Sequence, residues 1–195
     1  MASGLLHAQP ADSLLRSSAR FAWLKQHAGD SITGPFARVY VQTFRELDRE
    51  LADKDSGFRN FCLRLTDPFA DLYIAAADSH AQYGLVPAHW QPYFAHCGNR
   101  FQRQLRMGLR AHIRGDLSPV LIHTFHSKEL RQYKREFLRL RPAFRRVVAW
   151  QIRELGHRQT SVRWQHRLTL GFDKRVAVMQ IQCWRRKALR KALRS

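Results

Sequence analysis

Apolar side chains recur along this chain at intervals of three and four residues, the spacing that places them on one face of an α-helix. The clearest run follows Pro35, a residue type favoured in the first turn of a helix, and its stripe comprises Phe36, Val39, Tyr40, Thr43, Phe44, Leu47 and Leu51. A second helix is predicted to begin at Asp67 and Pro68, as N-cap and first helical residue, before the stripe Phe69, Leu72, Tyr73 and Ala76. These patterns predict an all-α protein.

The same periodicity continues through the second half of the chain. One stripe comprises Phe101, Leu105, Leu109 and His112, and Ser118 with Pro119 is predicted to open another short helix. Because connections are short and no Gly/Ser-rich linker appears, we predict a single compact bundle of about seven to nine helices over residues 1–195. Within it, residues 1–12 are expected to be a flexible start and residues 185–195 a basic helical tail.

One segment, residues 160–181, has two interpretations. Its first part alternates strictly, which is the period of a strand, in Val162, Trp164, His166, Leu168 and Leu170. A turn at Gly171 could then lead into a second strand over Val176–Ile181 and form a short hairpin. The alternative is a final helix over residues 173–194, with Val176, Met179 and Cys183 on its packed face. The helix is favoured for 173–194, and residues 160–171 stay open.

The charge of the chain is large and unevenly distributed. There are 34 Lys and Arg against 15 Asp and Glu, which sum to a net charge of +19 at pH 7. Residues 1–100 hold ten basic and ten acidic side chains, so the entire excess belongs to residues 101–195. A composition that is 45% hydrophobic excludes a disordered basic tail, so the imbalance is evidence about partners. We expect whatever approaches the second half to be anionic.

Six arginines of that half are candidates for polyanion binding, because the planar guanidinium suits phosphate and carboxylate. A surface of this kind would attract nucleic acid or an anionic lipid without reading a sequence. No recognition helix, zinc finger or RNA-binding signature accompanies the charge, and a solvated arginine-rich face is the plainer interpretation. The six candidates are Arg135, Arg139, Arg145, Arg146, Arg185 and Arg186.

The compartment is inferred from cysteines and apolar runs. The three cysteines are Cys62, Cys97 and Cys183, an odd and sparse set without CxxC spacing, which indicates a reducing interior. The first residues lack the basic and apolar regions of a signal peptide, and no run approaches the roughly 18 apolar residues of a membrane span. We therefore expect a cytoplasmic protein.

The polar motif that carries candidate chemistry is Ala-His-Ile-Arg-Gly-Asp-Leu at residues 111–117. If this stretch is helical, His112 and Asp116 are one turn apart and share a face. The carboxylate would then orient the imidazole, which would act as general acid or base in catalysis. Alternatively Gly115 ends the helix, His112 is an ordinary core histidine and Asp116 caps the next helix.

Other polar groups extend this candidate site. His123 and His126 are three residues apart and could join His112 and Asp116 in holding a divalent metal, although no established metal motif is present. Four ring-bearing residues on apolar stretches are candidates for ligand binding, although such residues are more often core with one satisfied polar tip: Tyr40, Tyr73, His80 and Trp90. No nucleophile elbow, phosphate-binding loop or dinucleotide fingerprint occurs.

Several landmarks together resemble a family of uncharacterised bacterial all-helical proteins. They are FARVYVQTF, DPFADLYIAAA, PAHWQPYF, LRMGLRAHIRGDLSPVL and CWRRKAL, in this order over roughly residues 34–190. The family core reads Asn-Ala-His-Ile-x-x-Asp-Leu, from which this chain departs at Arg110 and Gly115. The resemblance implies an all-helical fold and a site at His112 and Asp116, with Tyr73 and Trp90 beside them. It implies no activity.

The residues therefore support two functions. The first is a small-molecule pocket around His112 and Asp116 for an anionic or amphipathic ligand, either catalytic or only binding. The second is a non-enzymatic polyanion binder that uses the arginine-rich half of the chain.

Overall fold

The computed structural model describes Leu15 and residues 18–95, 101–158 and 172–195. All regular secondary structure within these residues is helical, which confirms the predicted all-α class. In this described part of the chain, no helix is long and apolar enough to cross a membrane.

The described chain begins with two helices joined by a short 3₁₀ turn. Helix α1 spans Ala19–Gln26, and the hydroxyl of Ser18 caps it by accepting the N–H of Phe21 at 3.1 Å. Helix α2 spans Gly34–Leu51 with Pro35 in its first turn, as predicted. Every apolar member of the predicted α2 stripe is buried, because this face packs against α1 and against helices from later in the chain.

Helix α3 is a single helix over Ser56–Tyr83, capped by the carboxylate of Asp55 and ended by Gly84 in the left-handed conformation at φ 67°. The prediction of a helix beginning at Asp67 and Pro68 is therefore wrong, since both lie inside α3. A proline in a helix costs about 3 kcal/mol because one backbone hydrogen bond is lost. Burial on both sides of it offsets that cost, through Phe58, Phe61, Cys62, Leu65, Ala70, Tyr73, Ala76 and Ala77.

The middle of the chain forms one continuous helical run after a short helix α4 over Gln91–Phe94. Helix α5 spans Phe101–Arg110, a π-helical turn follows over Ala111–Asp116, and α6 spans Leu117–Thr124. Turns of this kind are rare in proteins overall, and those that occur often lie at functional sites. The candidate motif of the sequence lies in this π-turn.

Three local predictions about this run differ from the structure. Gly115 does not end a helix, because it lies within the π-turn. Asp116 makes no capping hydrogen bond to α6, because its carboxylate binds other side chains. The helix predicted to open at Ser118 and Pro119 instead starts at Leu117, directly after the π-turn.

The remaining elements are α7 over Ser127–Gln132, α8 over Lys134–Arg139, α9 over Arg141–Arg158 and α10 over Phe172–Ala192. Helix α2 packs on α1, α5 and α9, while α10 packs on α6, α8, α9 and the π-turn. The π-turn also contacts α3, so its buried side chains lie where several helices meet.

Helix α10 decides between the two interpretations of the C-terminal segment. The predicted final helix is confirmed, and a hairpin strand over Val176–Ile181 is wrong because these residues are helical. The alternating residues 160–171 lie outside the described part of the chain. The predicted packed face is also wrong: Val176 and Met179 are 45% and 64% exposed, and Cys183 is exposed. The buried face comprises Val178, Ile181, Gln182, Arg185, Ala188, Leu189 and Ala192.

Candidate functional site

The π-turn brings a histidine and an aspartate together inside the core. His112 and Asp116 are 4% and 3% exposed, and 3.0 Å separates the histidine Nδ1 from the aspartate Oδ2. The expectation that one turn of helix places them on a common face is confirmed. The π-turn continues the helix through Gly115, so the pair is formed by local backbone geometry.

The Asp116 carboxylate accepts hydrogen bonds from three rings. The Nδ1–H of His112 and the Nε1–H of Trp90 both donate to Oδ2 at 3.0 Å. Oδ1 lies 2.5 Å from Nε2 of His89. Three donors satisfy this buried carboxylate, which would be costly to bury without partners.

His112 uses its second nitrogen as well. Its Nε2 is hydrogen-bonded to the hydroxyl of Tyr40, and its ring stacks on Phe69 with centroids 3.4 Å apart. Burial lowers the pKa of His112, although the hydrogen bond and charge of Asp116 oppose that shift. The ring is therefore neutral at pH 7, with its proton on Nδ1 facing the carboxylate, and Nε2 is left to accept a proton.

Tyr40 is the proton donor of this pair. Burial above all, and the charge of Asp116 next, raises the pKa of the Tyr40 phenol well above its ordinary value. The hydroxyl stays protonated and lies within reach of both His112 Nε2 and the carbonyl oxygen of Phe69, the latter at 3.0 Å. A proton donor and a proton acceptor therefore meet in a buried position, which is the arrangement that general acid–base chemistry requires.

Sequence reasoning missed His89, the most exposed member of this network. Its side chain is 40% exposed, whereas that of Asp116 is 4% exposed. A Cβ added at Gly115 would overlap the imidazole of His89, so the glycine permits the close approach. The sequence holds both residues, Gly115 and the histidine next to Trp90. Neither periodicity nor spacing shows that they meet.

Tyr73 and Trp90 lie beside this network, as the family resemblance implied. The rings of Tyr73 and Tyr40 are stacked with centroids 5.8 Å apart, and that of Trp90 lies 5.3 Å from Tyr73. The Tyr73 hydroxyl donates to the carbonyl of Thr33 at 2.6 Å, and burial raises its pKa well above the ordinary value. Tyr73 therefore supports the packing of the site with a hydroxyl that is already bonded.

The structure does not bring the other predicted ligands to this site. His80 packs its ring against Phe94 at 4.5 Å, on the last turn of α3. His123 is exposed, and its Nδ1 bonds the carbonyl of Pro119 at 2.7 Å; His126 is exposed at the start of α7. Among the residues that the structure describes, no three His, Cys, Asp or Glu side chains could hold a metal ion. The predicted set of His112, Asp116, His123 and His126 is therefore not assembled.

The six arginines proposed for polyanion binding fall into three environments. Arg146 is bonded to Glu46 and Glu50 and so joins α9 to α2. Arg185 is buried at 2% exposure, away from any surface. The remaining four are exposed, and polyanion binding by them stays a prediction: Arg135, Arg139, Arg145 and Arg186.

A cavity of about 100 Å³ lies next to the buried network. Tyr40 and His112 are part of its wall, whereas Tyr73, His80 and Trp90 are not. Most of the wall is apolar and comes from α2, α3, the α5–α6 run, α8, α9 and α10. Its apolar members include Phe36, Val39, Phe44, Leu47, Leu65, Phe69, Leu109, Ile113, Leu117, Phe137, Leu140, Phe144, Val147 and Ile181. The polar remainder is Thr43, Cys62, Thr66, Gln151 and Arg185.

The fold and this arrangement define an all-helical protein with a buried Tyr–His–Asp network beside an apolar cavity. Residues 18–195 match the family of unknown function DUF5995, and the chain belongs to this family. The expectation that the chain belongs to an uncharacterised family is thereby confirmed. No curated protein and no solved structure matches the chain.

Proposed function

We propose that this protein binds a small, largely apolar molecule in the cavity that Tyr40 and His112 border. The observation that carries the proposal is the cavity itself, about 100 Å³ of space inside a wall that is mostly apolar. Water gains few hydrogen bonds in such a space, and engineered apolar cavities of about 150 Å³ stay dry and bind benzene. This cavity is about two thirds as large, so it takes a molecule no larger than benzene.

Tyr40 and His112 supply the polar contact for that ligand. Tyr40 lines the cavity, and its hydroxyl is hydrogen-bonded to His112. A ligand oxygen or nitrogen next to Tyr40 would form a hydrogen bond with this hydroxyl. Asp116 holds the imidazole in one tautomer through Nδ1. In a catalytic version, Tyr40 takes a proton from the ligand as its own phenolic proton passes to Nε2 of His112, while Asp116 orients His112 and stabilises the imidazolium that forms.

The test is the binding of benzene, followed by chemical shifts of backbone amides and by thermal unfolding. A ligand that binds only the folded state raises the unfolding temperature in proportion to its occupancy. Benzene should shift amides around the cavity and raise the unfolding temperature of the wild-type protein. If saturating benzene changes neither, the proposal is wrong.

Two adjacent valines of α9 provide a matched pair of variants. Val147 lines the cavity, whereas Val148 is equally buried and does not. Val147→Phe should fold, fill the cavity and abolish benzene binding. Val148→Phe has no cavity to enter, so it should lower stability by about 1–3 kcal/mol through overpacking while benzene binding persists in the folded fraction. Equal benzene binding by Val147→Phe and the wild type would place the ligand elsewhere.

A further inference from the structure

We propose that the ligand of this cavity carries a carboxylate and that Arg185 binds it, so that the ligand class is a small carboxylic acid with an apolar body. This inference rests on the proposed function, since it names the head group of a molecule bound in the same cavity. It is carried by the surroundings of Arg185 and by a second polar side chain in the cavity wall.

Arg185 lies inside the core among neutral groups. It is 2% exposed, and its Cζ lies 4.2 Å and 4.4 Å from the ring centroids of Phe137 and Phe144. Nη2 donates to the carbonyl of Phe137, and Nη1 donates to Oε1 of Gln182 at 3.2 Å. These contacts orient the guanidinium at the cavity wall, and none of them neutralises its charge.

None of the described carboxylates pairs with this arginine. Leaving aside Asp12 and Asp173, whose side chains the structure does not describe, no acidic side chain lies within ion-pair distance of Arg185. More exposed arginines do have acidic partners, as Arg146 does in Glu46 and Glu50. The most deeply buried cation among the described residues therefore lacks the acidic partner that several more exposed arginines have, although a buried charge is strongly destabilising unless it is paired.

Among the described residues, the titratable group that interacts with Arg185 does not compensate for this charge. It is the thiol of Cys62, whose pKa burial raises to about 12, with Arg185 opposing the shift, so the thiol is neutral at pH 7. Burial lowers the pKa of Arg185 to about 9, which leaves the guanidinium cationic at neutral pH. A ligand anion would supply the missing negative charge.

Gln151 adds an independent indication of a polar ligand group. It lines the same cavity from α9 and is 7% exposed, and its Nε2 has no hydrogen-bond partner among the described residues. An unpaired buried donor is uncommon in folded proteins and points to a missing acceptor. A carboxylate is an acceptor with two oxygens, and an arginine fork binds it in a bidentate manner. Because about 100 Å³ must hold the head group and the body together, the apolar body is smaller than a benzene ring.

The experiment compares pentanoate with pentan-1-ol, which have the same carbon chain and differ in the head group. Titration calorimetry on the wild-type protein should give about tenfold or more tighter binding of pentanoate, because hydrogen bonds to charged groups exceed those to neutral ones. Arg185→Met should remove this preference and still bind pentan-1-ol. The variant should fold, since replacing buried charges with apolar side chains is often neutral or stabilising.

Arg186→Met is the matched control, because Arg186 is the next residue, is exposed and does not line the cavity. It should keep the preference for pentanoate. If the wild type binds pentan-1-ol and benzene but pentanoate no better, the carboxylate inference is wrong and the cavity proposal stands. If benzene, pentan-1-ol and pentanoate all fail to bind, both proposals are wrong. If Arg185→Met does not fold, the comparison of pentanoate with pentan-1-ol on the wild-type protein still tests the carboxylate inference.

Discussion

The Nε2 atom of His89 lies 2.5 Å from Oδ1 of Asp116, although 27 residues separate them in the sequence. This contact joins a half-exposed imidazole to a carboxylate that is otherwise enclosed by His112 and Trp90. Through His112 the same carboxylate is linked to Tyr40 at the cavity wall. A continuous hydrogen-bonded chain therefore runs from the protein surface to the cavity.

Removing the charge of Asp116 should destabilise the protein. In the wild type, ring N–H groups donate to both oxygens of the Asp116 carboxylate. In Asp116→Asn, an amide N–H₂ group replaces one of these oxygens and cannot accept, so buried hydrogen bonds are lost. We expect the free energy of unfolding in urea to fall by about 2–3 kcal/mol. Asp71→Asn is the control, because Asp71 bonds Arg20 on the surface and such pairs contribute only about 0–1 kcal/mol. Equal losses in the two variants would contradict the role of the buried network.

Gly115→Ala should act through His89. The added Cβ would overlap the imidazole, so the ring must move away from Asp116 and their hydrogen bond is lost. In a His89→Ala background that conflict is absent, and the alanine should instead stabilise the helical turn by up to about 1 kcal/mol.

The measurement for this pair is a double-mutant cycle by urea unfolding. The effect of Gly115→Ala should change from destabilising to neutral or stabilising when His89 is removed. Gly29→Ala is a control, since a Cβ at Gly29 meets nothing within 4 Å. The same effect of Gly115→Ala in both backgrounds would mean that His89 does not depend on this glycine.

The lowered pKa of His112 predicts a stability that falls in mild acid. In the unfolded chain a histidine titrates near 6.5, whereas burial holds the native pKa of His112 below that. Between those two values the unfolded state binds more protons, so stability decreases as pH falls below about 6.5 until it reaches the native pKa. Above about 6.5 both states are neutral and this residue adds no pH dependence.

His112→Gln isolates this effect. The difference in unfolding free energy between the wild type and His112→Gln should shrink as pH falls from 7 towards 5, as measured by urea unfolding at each pH. His123→Gln, which changes an exposed imidazole, should keep the wild-type dependence. A difference that stays constant over this range would show that His112 titrates alike in both states.

Thiol reactivity should report which face of α10 is packed. Cys183 is exposed, while Cys62 is buried with a pKa raised to about 12 by that burial. Because the thiolate is the reactive form, iodoacetamide at pH 8 should modify Cys183 in the native protein and Cys62 only after unfolding. Peptide mass spectrometry measures both sites. Protection of Cys183 would instead support the packed face that simple periodicity predicts.

That face of α10 illustrates where sequence reasoning fails. Val176, Met179 and Cys183 have the right spacing for a buried stripe, yet the packed face includes Gln182 and Arg185. A polar residue type in a helical stripe predicts an exposed face. The burial of Arg185 depends instead on aromatic rings and a carbonyl that α8 and α9 supply. Residues from other elements cannot be read from the period of one helix.

Features within one helical turn were determined by the sequence itself. The placement of Pro35 in the first turn of α2 follows from the residue type. The all-α class and the pairing of His112 with Asp116 follow from spacings of three or four residues, which backbone geometry converts directly into shared faces. The continuation of α3 through Pro68 did not follow, because burial along the whole helix outweighed a local stop signal. The contacts of His112 with Tyr40 and of Asp116 with His89, and the enclosure of Arg185, were decided by the tertiary structure. They join residues from different helices, whose meeting depends on how the helices pack.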